Sequence, residues 1–148
     1  MPLHASWVHG NTVTIETPQS VRTHTPRGEG SHIDLHPGAA TWLHIAIPTP
    51  VFVGGVRVRA RKFFLLLSTA SGAKITEVHI WDGLHRIHQV TPTLWGNHSA
   101  IGTMNTFVPP GPHFAQLGMS ISFLARATDD NHGGHTFTLF SAGADFST

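Results

Sequence analysis

The chain has 148 residues, no cysteine, no tyrosine and 13 histidines. That length suits one domain with a real core, and the lack of cysteine excludes disulfide scaffolds, zinc–cysteine sites, iron–sulfur clusters and thiol chemistry. Charged residues make up 11 % of the chain and the formal charge is +1 with histidine neutral, which is too little fixed cation for a nucleic-acid partner.

Protonating every histidine would carry the charge to +14, so mild acid turns a nearly neutral surface strongly cationic. At neutral pH the small net charge favours self-association, and a homo-oligomer is expected. The start, Met1-Pro2-Leu3-His4, shows no basic leader followed by an apolar stretch, and the longest wholly apolar run is Phe63 to Leu67. A cytoplasmic protein without a membrane partner is therefore expected.

Alternation at period two recurs along the chain and helical periodicity is nearly absent. Thr12 to Glu16 alternates and ends at Thr17-Pro18; Trp42 to Ile47 sets Leu43, Ile45 and Ile47 on one face and Trp42, His44 and Ala46 on the other. Val56 to Arg61 alternates more sharply, and Ile75 to Trp81, Ser120 to Arg126 and His135 to Phe140 continue the pattern. Pro and Gly clusters punctuate these runs, among them Pro37-Gly38, Gly54-Gly55, Pro109-Pro110-Gly111-Pro112 and Gly133-Gly134. Short strands with turn signals at this spacing predict one all-β domain over residues 1–148, an antiparallel β-sandwich of jelly-roll type with roughly eight to ten strands.

Two segments carry sharper expectations. Asp82-Gly83 between strand-like runs predicts a hairpin with a two-residue type I′ turn, which pairs Trp81 with Leu84, His79 with Arg86, and Glu77 with His88. Around Arg61-Lys62 the alternation breaks: if Val56, Val58 and Ala60 face inward, Phe63, Leu65 and Leu67 would face outward. A bulge that resets the register is the preferred explanation; burial of both faces, in a central strand or a subunit interface, is the other.

Three histidine constellations are candidate metal sites. His32, Asp34 and His36 share one strand face, but His32 and His36 lie about 13 Å apart on a flat strand, so a solvated polar face competes with chelation. Glu77, His79 and His88 converge across the predicted hairpin, with Arg86 beside them suited to an anion or a carboxylate; the competing reading is surface pairing. His132 and His135 lie in the turn Asp129-Asp130-Asn131-His132-Gly133-Gly134-His135, close enough to chelate, although Asp, Asn and Gly are what any turn requires. Zinc, copper or nickel would be the ion. The stripe Arg57, Arg59 and Arg61 reads as a solvated strand face or a surface for acidic polymers. Trp42, Trp81, Trp7 and Trp95 offer stacking surface for a sugar or core packing, and Trp42, His44, Trp81 and Arg86 are the candidate ligand-binding residues. No nucleophile elbow, His-Glu-x-x-His, phosphate loop or dinucleotide fingerprint is present.

The segments His4-Ala5-Ser6-Trp7-Val8-His9-Gly10, Trp42-Leu43-His44-Ile45-Ala46-Ile47-Pro48-Thr49-Pro50-Val51 and Phe140-Ser141-Ala142-Gly143-Ala144-Asp145-Phe146, together with the hairpin Val78 to Gly83, resemble a small bacterial family of single domains of unknown function. The resemblance implies a compact all-β domain in a bacterial cytosolic or cell-associated setting, places His9 and His44 inside motif segments, and carries no catalytic residue. The expected function is a non-catalytic binding or assembly domain using histidines for divalent-metal or pH-responsive contacts. The alternatives are a carbohydrate-binding β-sandwich module, a small cyclase or isomerase with a His/Asp pocket, and a self-assembling structural protein.

Overall fold

The computed structural model describes residues 2–130 and 133–148. Among them are fifteen strands, nine of at least five residues, two single 3-10 turns (Gly10–Thr12 and Pro18–Ser20) and no α-helix. In chain order the strands are β1 (Leu3–His9), β2 (Thr14–Ile15), β3 (Val21–Pro26), β4 (Ser31–Leu35), β5 (Ala40–Ile47), β6 (Phe52–Val53), β7 (Val56–Arg57), β8 (Arg59–Thr69), β9 (Ala73–Asp82), β10 (His85–Val90), β11 (Asn97–His98), β12 (Thr106–Phe107), β13 (His113–Phe114), β14 (Met119–Ala127) and β15 (Thr136–Ser147).

They form the expected antiparallel sandwich. One sheet runs β11-β8-β15-β4-β3, with β1 also on β15 and with β12 and β13 also on β8; the other runs β10-β9-β14-β5-β2, and β6 and β7 make a separate ribbon. The apolar half of each alternating strand points between the sheets: Leu43, Ile45 and Ile47 of β5, Val78 and Ile80 of β9 and Ile121 and Phe123 of β14 meet Phe63, Leu65 and Leu67 of β8 and Phe137, Leu139 and Phe146 of β15. The polar half is left on the outer faces, as the period of two requires.

The anomaly at Arg61-Lys62 is a bulge. Asp145 pairs with Lys62 and Phe146 with Ala60, so Arg61 is the extra residue; Ala60 and Phe63 both reach the core and Lys62 is exposed. A second bulge in β15 leaves Phe140 unpaired between Leu139 and Ser141 and returns Ala142 and Ala144 to the core. The run Phe63 to Leu67 is thus covered within one chain. Phe64, on the outer face, lies under the Trp7 indole with ring centroids 5.4 Å apart. Gly143 pairs with Trp7 on one side and Phe64 on the other, and a Cβ there would sit 2.4 Å from the indole. Gly143→Ala is therefore expected to push Trp7 off Phe64 and cost about 1–3 kcal/mol; thermal unfolding checks it, and an unchanged midpoint would show that the stack contributes nothing.

The hairpin departs from expectation by one residue. His85 pairs with Asp82 and Arg86 with Trp81, so the two turn residues are Gly83 and Leu84. Gly83 alone has positive φ, at 58°, which is the sign pattern of a type II′ turn rather than I′. A bulge at Ile87 then sets His88 opposite Ile80 and Gln89 opposite His79. Glu77 and His88 therefore fall on different faces of the sheet, and the predicted Glu77–His88 pairing is corrected: moving the turn by one residue shifts every partner by two, which keeps the faces, and the bulge adds one more, which takes His88 to the other face.

Candidate functional site

The outer face of the five-stranded sheet carries a cleft of about 460 Å³ lined by Glu16, Trp42, His44, His79, Trp81, Gly83, Ser120 and Ser122. The register builds it. His44, Ser122, His79 and Gln89 lie in one row across β5, β14, β9 and β10. Two residues along, Ser120 is flanked by Ala46 and Trp81; two residues the other way, Leu124 is flanked by Trp42 and Glu77. In the two serine rows the large side chains stand on the flanking strands β5 and β9 and the small serines on β14 between them, so this part of the face is a trough with a polar floor.

Aromatic surface runs diagonally across it. The His79 ring lies 4.6 Å from Trp42 and 6.3 Å from Trp81, centroid to centroid. Trp42, His44, His79 and Trp81 are all half-buried, so their walls are fixed while their faces meet solvent.

Hydrogen bonds fix the histidines. His44 bonds Ser122 Oγ through Nδ1 at 2.7 Å and Glu16 Oε1 through Nε2 at 2.9 Å. A carboxylate only accepts, so Nε2 carries the proton of the neutral ring and Nδ1 accepts the serine hydroxyl. His79 bonds Glu77 Oε1 through Nε2 at 2.8 Å, and Gln89 Nε2 donates to the same oxygen at 2.7 Å. The His79 bond, against a smaller desolvation effect, holds the Glu77 carboxyl below the usual carboxylate range.

The chain Glu16–His44–Ser122 contains the three groups of a nucleophile relay, but its geometry is a brace. Ser122 is 4 % exposed and lies mid-strand, paired to β5 and β9 on both sides, so its backbone leaves no donors for an oxyanion. The serine also sits on Nδ1 and the carboxylate on Nε2, the reverse of the arrangement that delivers a serine proton to Nε2.

The other sequence candidates fall elsewhere. His32 bonds Glu29 at 2.6 Å, and that bond lowers the Glu29 carboxyl from its ordinary value. Asp34 takes the Arg22 Nε at 2.8 Å, and His36 lies past the end of β4, exposed. His88 points inward, where burial lowers its pKa. His135 is buried beside Thr128, Oγ1 to Nε2 3.3 Å, and His132 lies outside the described residues. Among the described residues no three His, Asp or Glu side chains converge in a set that could hold a metal. Arg86 pairs in register with Trp81 and stands exposed on the edge strand. The arginine stripe is engaged locally: Arg57 over Phe52 at 4.5 Å, Arg59 over Phe114 at 4.7 Å, and Arg61 on Ser147 Oγ at 2.7 Å. Trp95 is exposed and away from the cleft.

Of the expected ligand-binding residues, Trp42, His44 and Trp81 meet in the cleft, and His79, expected as a metal ligand, joins them. Sequence reasoning missed Glu16, Ser120 and Ser122. The signal for the two serines was present in the alternation Ser120-Ile121-Ser122-Phe123, which puts two small polar residues on an outer face.

A model of a family of unknown function, DUF6623, matches residues 1–136. No curated protein sequence matches the chain. Among solved structures it is similar to the C-terminal family 6 carbohydrate-binding module of a marine laminarinase from Zobellia galactanivorans (9 % identity, 98 % of this chain, 100 % of that one, TM-score 0.46). It is also similar to a family 36 carbohydrate-binding module in complex with calcium and xylotriose (15 % identity, 95 % of each chain, TM-score 0.40). A third similar structure is a cyclase from Fischerella sp. TAU in complex with 4-(1H-indol-3-yl)butan-2-one (11 % identity, 95 % of this chain, 88 % of that one, TM-score 0.49).

Proposed function

The chain belongs to this family of unknown function, and we propose that it is a carbohydrate-binding β-sandwich module whose site is the cleft on the outer face of the five-stranded sheet. The observation that carries the reading is the pair Trp42 and Trp81 flanking His79 above a floor of Ser120 and Ser122. A sugar ring has apolar C–H faces and a polar rim of hydroxyls. Indole faces take the first by apolar contact, while serine hydroxyls, carboxylate oxygens and imidazole nitrogens take the second. The cleft is open along the sheet, so the ligand is a chain segment lying across it rather than a molecule enclosed in it.

This reading displaces histidine-mediated metal binding as the leading function. The histidines of the cleft are each held by a glutamate, and the aromatic walls give a metal ion nothing to bind. Titration of intrinsic tryptophan emission with a panel of oligosaccharides tests the proposal, because Trp42 and Trp81 form its walls. A saturable shift with at least one glycan, matched by calorimetry, is expected; a panel with no shift and no heat would remove it.

A further inference from the structure

We infer that the cleft selects neutral, hydroxyl-rich glycans and rejects uronate or sulfated ones, an inference that rests on the carbohydrate reading above. The ground is an inventory of polar atoms at the cleft that the protein leaves unbonded. Glu16, which lines the cleft, and Glu77, which stands beside it as the partner of His79, each bond through Oε1 and keep Oε2 unbonded among the described residues. In the tautomer that donates Nε2–H to Glu77, His79 leaves its Nδ1 lone pair unbonded among the described residues. Ser120 Oγ, on the floor between the tryptophan strands, makes no bond within the described residues and accepts as readily as it donates. Carboxylate oxygens and an imidazole lone pair accept hydrogen bonds, and acceptors in a row require a ligand that offers donors.

Sugar hydroxyls supply donors. A carboxylate or sulfate in the same place brings only acceptors and a like charge towards Glu16 and Glu77, which disfavours it. The cations of this face stand at its margins. Arg86 is exposed on edge strand β10. Lys74 and Arg126 pair with each other one row beyond Leu124, and the Arg126 Nε is engaged by Thr76 Oγ1 at 3.1 Å. Of the residues that line the cleft, the one with a fixed charge is Glu16.

The test measures calorimetric affinity at pH 8, well above the unperturbed imidazole pKa of about 6.5. Neutral oligosaccharides are compared with their uronate and sulfated counterparts of matched linkage, on the wild type and on Glu16→Gln, Glu77→Gln and the double variant. Both carboxylates sit at the surface and glutamine keeps their shape; thermal midpoints confirm folding, and the single variants serve should the double one fail to fold. The neutral member of each pair is expected to bind at least roughly tenfold tighter than its acidic counterpart. Glutamine, which offers donors, is expected to narrow that ratio by raising affinity for the acidic member. Acidic glycans binding the wild type equally or more tightly would overturn the selectivity while leaving carbohydrate binding in place. A preference unchanged in the variants would also overturn it, since its source would lie elsewhere. Silence from both classes would remove the carbohydrate reading itself, and the selectivity with it.

Discussion

Asp82→Ala is expected to be the most destabilising single change outside the apolar core, costing about 3–4 kcal/mol. The carboxylate is 1 % exposed and gathers four donors. His113 Nε2 and the Gln116 backbone N–H meet Oδ2 at 2.9 and 3.0 Å, and the Leu117 and Gly118 N–H groups meet Oδ1 at 2.9 and 3.0 Å. One side chain at the end of β9 thus ties down the segment that leads into β14, and its removal leaves those donors without a partner. At about 2–4 °C per kcal/mol for a chain of this size, the thermal midpoint should fall by roughly 10 °C. A change under about 2 °C would show that the loop finds other partners.

The same carboxylate gives stability an acid limit. Burial pushes its pKa up, but the His113 bond and the three backbone donors outweigh burial and hold it below its ordinary value. A group with a depressed folded pKa stabilises fully above its unfolded pKa, about 3.9 for aspartate, and loses that contribution as pH falls through the folded value. Urea midpoints of the wild type should therefore drop below about pH 4, and Asp82→Asn should flatten that part of the profile while lying lower at neutral pH. Parallel profiles for the two proteins would place the acid sensitivity in another carboxylate.

Trp42→Ala is expected to have the largest effect on ligand binding. The indole forms one wall of the cleft and rests on His79 at 4.6 Å, so truncation removes a stacking surface and loosens the ring beside it. Losing an apolar contact of this size costs about 1.5–3 kcal/mol, a roughly ten- to hundredfold rise in Kd. Trp42 projects outward from a strand whose inward Leu43 and Ile45 are untouched, so the fold should survive, and Trp42→Phe should recover part of the affinity. Trp95→Ala provides the contrast: this tryptophan is exposed and outside the cleft. If affinity is lost with Trp95 and kept without Trp42, the site is on the wrong face.

Much of the architecture was legible because inward and outward residues alternate so plainly. Leu43, Ile45 and Ile47 against Trp42, His44 and Ala46 is a local statement, and a half-buried strand has one way to satisfy it. The break at Arg61-Lys62 was legible for the same reason, since a conflict of phase inside one strand must be resolved by an extra residue. Asp82 was misread because Asp-Gly is an ordinary turn pair, whereas this aspartate is a buried anchor for a segment more than thirty residues away. Its slip moved the turn to Gly83-Leu84, and the bulge at Ile87 took His88 to the other face.

The alternating faces follow from the order of residues alone, and with them a two-layer β domain whose outer surfaces are rich in histidine, serine and tryptophan. Which of those side chains meet follows from the order of the strands. Strand β14 is inserted between β5 and β9, and that placement brings Trp42 and His44 to the same trough as His79 and Trp81, with Ser120 and Ser122 between them. Strand order depends on the packing of two whole sheets, summed over residues far apart in the chain, so no local pattern of residues records it.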